Sequence, residues 1–299
     1  MDYYLLLDIG GTNVKCGIAD KNHHFVPIPQ EIFPSNATGS AEQILTGFKR
    51  VIHTVLDEIP DSRFKIAGMA TSFPGPFDYS RGIPYLTDLN KFESIYGVDL
   101  REEWRKNISP FQKSEKIPIR FIHDVQAFAL GTLNVYPKLC QERVLYVSLG
   151  TGFGTAVTLH GKLVTDPVEG IPAQGWFYHY PFHKGILDDY LSARGLTKLS
   201  CNQLGSSCDG RMLGDMARNK DCRAIGIYRQ FGQMLAEAIE PLVQQHHFSC
   251  LVLGGQIVKS SVFFIEDLAQ FCLKRNIRLI TDDQSYQRVF NGLLESVKS

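Results

Sequence analysis

The chain has 299 residues, 44% of them hydrophobic, with 31 basic and 31 acidic side chains and a formal net charge of zero. This length is long for one domain and natural for two lobes. The charge balance argues against a general electrostatic grip on nucleic acid or on an anionic membrane, while leaving a local basic cleft open. Seven cysteines, odd in number, follow no regular spacing. Met1-Asp2-Tyr3-Tyr4 runs into the first predicted strand with neither a basic leader nor a cleavage site. No apolar stretch approaches a membrane span. These features predict reduced, mostly buried thiols in a cytoplasmic protein.

In chain order, Tyr3 to Ile9, Val14 to Ala19 and Phe25 to Glu31 are predicted to form an antiparallel meander. Ser40 caps a helix, with Gln43 in capping-box position. Ile44, Leu45, Phe48, Val51, Ile52, Val55 and Leu56 keep the spacing of one helical face. Lys65 to Ser72 reads as a strand that ends at the break Pro74-Gly75-Pro76. Residues 80–98 are rich in turn formers and read as a loop lining a site. A strand from Ile117 to Ile122 feeds a helix from Val125 to Val135, and Arg143 to Leu163 repeats the opening meander. Helices are predicted over 186–196, 207–218 and 221–245. The strand Cys250 to Leu253 ends in Gly254-Gly255, and a helix over 261–274, a strand Ile277 to Ile280 and a helix over 285–297 close the chain. The result is an α/β chain in which a ββ(β)αβα unit occurs twice. It divides into a small lobe, 1–118 completed by 285–299, and a large lobe, 119–284. A hinge is expected near 116–123.

Two segments carry the chemistry. Asp8-Ile9-Gly10-Gly11-Thr12-Asn13-Val14-Lys15 is an apolar strand ending in an acid and a paired-glycine turn. Leu149-Gly150-Thr151-Gly152-Phe153-Gly154 repeats the strand and glycine turn. Glycines let backbone N–H groups approach phosphate oxygens, the threonine hydroxyl adds a donor, and a strand-end carboxylate can hold a hydrated Mg²⁺. One such turn also makes an ordinary hairpin. Two of them, with an acidic motif between, point to phosphate gripped from both sides of a cleft. Asp124, at a strand-to-helix junction, suits a general base for a hydroxyl group. In isolation a plain helix N-cap is the favoured reading, and only the flanking motifs reverse that.

In order and composition these segments resemble the ROK family (repressors, open reading frames and sugar kinases) of the actin-like ATPase superfamily. Asp8 to Lys15 matches the first phosphate motif of that family, and Leu149 to Gly154 matches the second. Leu253-Gly254-Gly255-Gln256-Ile257 is similar to the glycine pair that contacts the adenosine of ATP. Ile122-His123-Asp124-Val125-Gln126-Ala127 is similar to the segment carrying the sugar kinases' catalytic Asp. The resemblance implies a two-lobed, ribonuclease H-like fold and ATP with Mg²⁺ as cofactors. It implies Asp8 near the metal through water, Lys15 beside the phosphate charge, and Asp124 as the base that activates a sugar hydroxyl. It also allows a homodimer, for which no residue pattern here argues.

The departures bear on the substrate. Most members carry a Gly-Glu-x-Gly-His sugar contact and then a zinc-binding cysteine loop. Here the region reads Pro172-Ala173-Gln174-Gly175-Trp176-Phe177-Tyr178-His179, then Gly185 to Ser192, with no cysteine between 141 and 200. His179 and His183 alone make a poor structural zinc site, so no zinc is expected. In this alignment, whose register is open by a residue or two, Gln174 takes the place of the sugar-binding Glu. The contact His becomes Phe177 or shifts to His179, and Asp188 matches the last Glu of the motif. Either Asp88, by spacing, or Asn90, by chemistry, matches the upstream Asn, and His123 replaces the Asn before the base. Because a sugar pocket discriminates through buried hydrogen bonds, these changes argue for an altered sugar, an altered pose or lost activity. Members lacking the cysteines include polyphosphate users, so polyphosphate stands beside ATP as a donor. The leading expectation is an ATP-dependent kinase of a hexose or hexose derivative. A sugar-binding regulatory pseudokinase is the runner-up. A transcriptional repressor ranks behind both, because the first motif is intact and begins at residue 8.

Overall fold

The computed structural model describes residues 2–59, 64–112 and 117–298. They separate into two compact units, Met1–Asn134 with Tyr286–Ser299, and Val135–Ser285. Among the described residues each unit is built on a mixed five-stranded sheet.

The first unit opens with β1 (Asp2–Ile9), β2 (Asn13–Asp20) and β3 (Ile32–Pro34), followed by α1 (Ala41–Asp57) and β4 (Lys65–Ser72). A small hairpin of β5 (Phe77–Asp78) and β6 (Ile83–Pro84) precedes α2 (Leu100–Ile108), β7 (Ile119–Ile122) and α3 (Asp124–Val135). The sheet order is β3-β2-β1-β4-β7, antiparallel over its first three strands and parallel from β1 through β4 to β7. The capping box of α1 forms: the Ser40 hydroxyl accepts the Gln43 N–H, and the Gln43 side chain accepts the Ser40 N–H. The third strand lies at Ile32–Pro34 rather than over Phe25 to Glu31. Pro27 and Pro29 have no N–H to give a ladder, and Phe25 makes only an isolated bridge to Ala19. The core packs α1 and α2 against the sheet. There Trp104, fully buried, donates its indole N–H to Thr71 Oγ1 at 3.0 Å and meets Phe48 edge-on with ring centroids 5.4 Å apart.

The boundary of this unit falls at 134/135 instead of 118/119. Strand β7 pairs with β4, and α3 packs on the C-terminal helix Ser285–Lys298 at two glycines. A Cβ on Gly131 would lie 1.8 Å from the Arg288 carbonyl oxygen, and one on Gly292 would lie 1.8 Å from that of Ala127. Of the expected hinge, position 116 lies outside the described residues, and 119–123 belongs to β7 and the junction into α3.

The second unit repeats the meander as β8 (Arg143–Leu149), β9 (Phe153–Leu159) and β10 (Lys162–Leu163). A hairpin of β11 (Pro181–Phe182) and β12 (Gly185–Ile186) leads into α4 (Leu187–Tyr190), α5 (Ala193–Leu204), α6 (Gly210–Arg218) and α7 (Cys222–His246). Strand β13 (Cys250–Gly254), helix α8 (Glu266–Lys274) and strand β14 (Arg278–Thr281) follow, and the C-terminal helix is α9. The order β10-β9-β8-β13-β14 matches that of the first sheet strand for strand. The single helix expected over 186–196 is two: Ser192, in extended conformation, breaks the run and caps α5, which then continues to Leu204.

Candidate active site

In the first unit β1, β4 and β7 run parallel and end level with one another. Asp8 is in register with Ser72, and Ser72 with Ile122. Neighbouring strands lie about 4.8 Å apart, so this row spans about 10 Å from β1 to β7. The carboxyl ends of parallel strands are where open α/β sheets place their ligands. Asp8 also faces Lys15 across the β1–β2 hairpin. Its Oδ2 accepts from Lys15 Nζ at 3.1 Å and its Oδ1 from the Ser72 hydroxyl at 2.6 Å. The Lys15 ammonium lies 5.4 Å from the centre of the Tyr286 ring. Burial, with Glu31 beside it, pushes the Tyr286 phenol above its ordinary range.

The turn at Gly10, Gly11 and Thr12 closes through the Gly10 N–H on the Asn13 carbonyl at 2.9 Å. Ser35 steadies it, giving its N–H to the Thr12 carbonyl and its hydroxyl to that of Gly11. Gly11 and Thr12 are exposed. A Cβ on Gly11 would meet only Lys91 Cδ, at 3.5 Å, an ordinary contact. The protein's own packing therefore does not demand glycine there.

Asp124 is the first residue of α3 and its side chain is 56% exposed. Its Oδ1 accepts the Val125 N–H at 2.8 Å and lies 3.0 Å from Nδ1 of His123, whose ring stands edge-on to Tyr79. Asp88 and Asn90 are exposed in a loop where both adopt positive φ, as does Phe92. Glu93 holds that loop by accepting the N–H groups of Leu89 and Asn90, and buried Phe92 anchors it.

In the second unit the turn at Gly150, Thr151 and Gly152 closes through the Gly150 N–H on the Gly152 carbonyl at 3.1 Å. Asp188 lies against it. Its Oδ1 accepts the Phe153 N–H at 2.6 Å, and its Oδ2 pairs with the Arg194 guanidinium. Gln174 adopts positive φ and gives both its backbone N–H and its side-chain amide to the Thr165 carbonyl. Phe177 is fully buried, its N–H on Thr155 Oγ1. Gly254 ends β13. Gly255 has φ +93°, and a Cβ there would fall 2.3 Å from the Leu149 carbonyl oxygen, so the approach of β8 already requires glycine. The Gly255 N–H donates to Ser285 Oγ at 2.7 Å.

Where the resemblance placed a cysteine loop elsewhere, aromatic packing holds this chain. His179 sits edge-on between Tyr178 and Tyr180, and His183 packs on Phe182 and Tyr190 with Glu237 3.5 Å away. No three His, Cys, Asp or Glu side chains gather as a metal-binding set among the described residues. No described helix is long and apolar enough to cross a membrane.

The ROK family model matches residues 4–278. The chain belongs to the ROK family. Among its ROK relatives is an N-acetyl-D-glucosamine kinase of Haemophilus influenzae, 22% identical over 84% of this chain and 83% of the relative. A xylose repressor of Bacillus spizizenii is 21% identical over 86% of this chain and 62% of the relative. The ROK glucokinase of Streptomyces griseus, solved with glucose and AMPPNP, superposes with a TM-score of 0.75 at 16% identity, covering 98% of both chains. That similarity establishes the actin-like ATPase fold for this ROK protein.

Ser35, Ser72, Lys91 and Arg194 carry no motif signal of their own in the sequence. Ser72 stands there only as the last residue of a predicted strand. The others emerge only once loops and helix ends fold back onto the turns.

Proposed function

We propose that the protein is an ATP-dependent kinase of a hexose or hexose derivative, with Asp124 as general base. The observation that carries this reading is the row of Asp8, Ser72 and the His123–Asp124 pair at the ends of three parallel strands. The kinases among the relatives support it. Oδ1 of Asp124 is engaged by Val125 and His123, which leaves Oδ2 to take the acceptor proton. The sugar oxygen then bonds to the terminal phosphorus of the donor, the bond from that phosphorus to the bridging oxygen breaks, and ADP leaves with the electron pair. A positioned base contributes about 10²–10⁴-fold. Positioning and charge stabilisation supply the rest.

Gly10, Gly11, Thr12, Gly150, Thr151 and Gly152 offer N–H and hydroxyl donors to phosphate, and Lys15 offsets its charge. Gly254 and Gly255 border the nucleoside. Asp8 with Ser72 fits Mg²⁺ held through water, since one carboxylate and one hydroxyl are too few to fill an octahedral shell and suit an ion that arrives with phosphate. When bound, Mg²⁺ would screen the phosphate oxygens. Asp88, Asn90 and His123 supply sugar contacts, and Gln174 does so once its amide leaves Thr165. Polyphosphate is the alternative donor.

A second reading, a sugar-binding regulator without turnover, is favoured by the engagement of Gln174 and Asp188 inside their own unit. A coupled ADP-release screen over hexoses, N-acetylhexosamines and 1,6-anhydro sugars, with product formation from polyphosphate followed in parallel, separates the two. Turnover of any of these sugars supports the kinase. Sugar binding with no turnover from either donor supports the regulator.

A further inference from the structure

We propose that Arg194 binds the phosphate chain of the phosphoryl donor at the second glycine turn, with Asp188 as the residue that positions it. The inference rests on reading that turn as phosphate-binding.

The two hairpins differ in how they acquire charge. In β1–β2 the second pair back from the turn is Asp8 and Lys15, so the hairpin carries an acid and a cation close to its turn. In β8–β9 the equivalent pair is Ser148 and Gly154, and the turn end of the hairpin has neither. The junction of α4 and α5 supplies both instead. Asp188 links the turn to the cation: one carboxylate oxygen holds the Phe153 N–H and the other holds the Arg194 guanidinium.

Backbone geometry fixes where this cation stands. The Ala193 N–H donates to the Gly150 carbonyl at 2.8 Å, tying the start of α5 to the turn itself. The Ser192 hydroxyl donates to the Asp188 carbonyl at 2.6 Å. Gly195 approaches Tyr190 so closely that a Cβ would lie 2.0 Å from its carbonyl oxygen. The side chain of Arg194 is nevertheless 63% exposed.

A guanidinium carries five N–H donors in a planar fork. Asp188 takes one of them, and among the described residues no other acceptor engages the group. The remaining donors match the oxygens of a phosphate chain, which an arginine fork binds in bidentate fashion. Space for that chain exists, since no atom lies within 4 Å of a Cβ position on Gly150, and Thr151 is exposed. Asp188 thus serves the donor side of the reaction by holding Phe153 and Arg194 together. A nucleoside triphosphate and inorganic polyphosphate share the chemistry that Arg194 would recognise.

The test is isothermal titration of the full chain with Mg-AMPPNP and, separately, with inorganic tripolyphosphate, alongside thermal melts. Arg194→Met removes the fork at an exposed position. It should weaken donor binding by about tenfold, the size of one hydrogen bond to a charged group, with sugar affinity unchanged. Arg194→Lys should recover part of the loss, and Asp188→Asn should fall between, because the fork remains but is no longer held. Equal losses for the two probes assign Arg194 to the phosphate chain shared by both. A loss for one probe alone names the donor that this turn serves. Wild-type affinity for both probes in Arg194→Met overturns the inference while leaving the kinase reading intact. Failure of the wild-type chain to bind either probe overturns both.

Discussion

Nδ1 of His123 and Oδ1 of Asp124 lie 3.0 Å apart, and that same oxygen already accepts the Val125 N–H. Adjacent in sequence, the two residues leave Asp124 with one oxygen held by its surroundings and one turned to other work. Holding the Val125 N–H at the start of α3 needs only the first, and acting as a base needs the second.

Asp124→Asn separates these roles. Asparagine keeps an oxygen that can accept the Val125 N–H but cannot take a proton. On the preferred sugar, kcat should fall by roughly 10²–10⁴-fold with a smaller change in sugar affinity and little change in Tm. Near-normal turnover would remove Asp124 from the mechanism.

Gly11→Ala tests the first turn with little effect on the apo protein. The added methyl meets only Lys91 Cδ, at 3.5 Å, so the melting temperature should stay within about a degree. The methyl would occupy the face of the turn where phosphate oxygens must approach. Mg-AMPPNP affinity should therefore drop by at least about tenfold. Unchanged affinity would make the turn a structural hairpin only.

Chelation probes the aromatic segment 176–190. Because Tyr178, His179, Tyr180, Phe182, His183 and Tyr190 pack on one another, its order should not depend on zinc. Overnight EDTA followed by a melt in metal-free buffer should give the same Tm as untreated protein. One zinc per chain in elemental analysis, with destabilisation on its removal, would refute this.

His246 predicts a pH dependence of stability. The residue is 2% exposed at the end of α7, between Phe177 and Phe248. Burial chiefly holds its imidazole below the ordinary value, with the charges of Arg143 and His247 acting in the same direction and the Glu169 backbone opposing them. Above a pH of about 6.5 the group is neutral in both folded and unfolded chains. As the pH falls through that value the unfolded chain takes the proton first, and stability declines until the folded imidazole also titrates. Urea denaturation at pH 7.5 and 5.5 should show this loss, and His246→Phe should show less of it. An equal loss in the variant would assign the effect to other groups.

Much of the fold could be read from residue order because local signals and tertiary packing agree. Lys65–Ser72 is a strand over the length its apolar run indicates, and the Ser40–Gln43 box starts α1 where the pattern places it. Local signals and packing part where a connection serves a distant element. Phe25 to Glu31 has strand-like composition, but its prolines leave the pairing to Ile32–Pro34. The helix expected from 261 starts only at Glu266, after a 3₁₀ segment over Gln256–Phe263. At the site, the glycine turns and Asp124 are contiguous motifs and stand out at once. Arg194 becomes meaningful only through Asp188 and a strand 35 residues earlier, a relation that no spacing rule encodes.

The glycine contact between α3 and α9 has a consequence for how the chain comes off the ribosome. The helix that begins with Asp124 packs on residues near 288–292, which are synthesised only after the whole second unit. A nascent chain of 134 residues already contains every strand of its first sheet but lacks one of its walls. The second unit, whose segments are continuous in sequence, can close first, although it emerges later. The first unit must then wait, holding apolar surface exposed, until α9 is released. Release of α9 thus sets α3 in place, and a chain stalled before residue 286 would have a finished second sheet and an unfinished first unit.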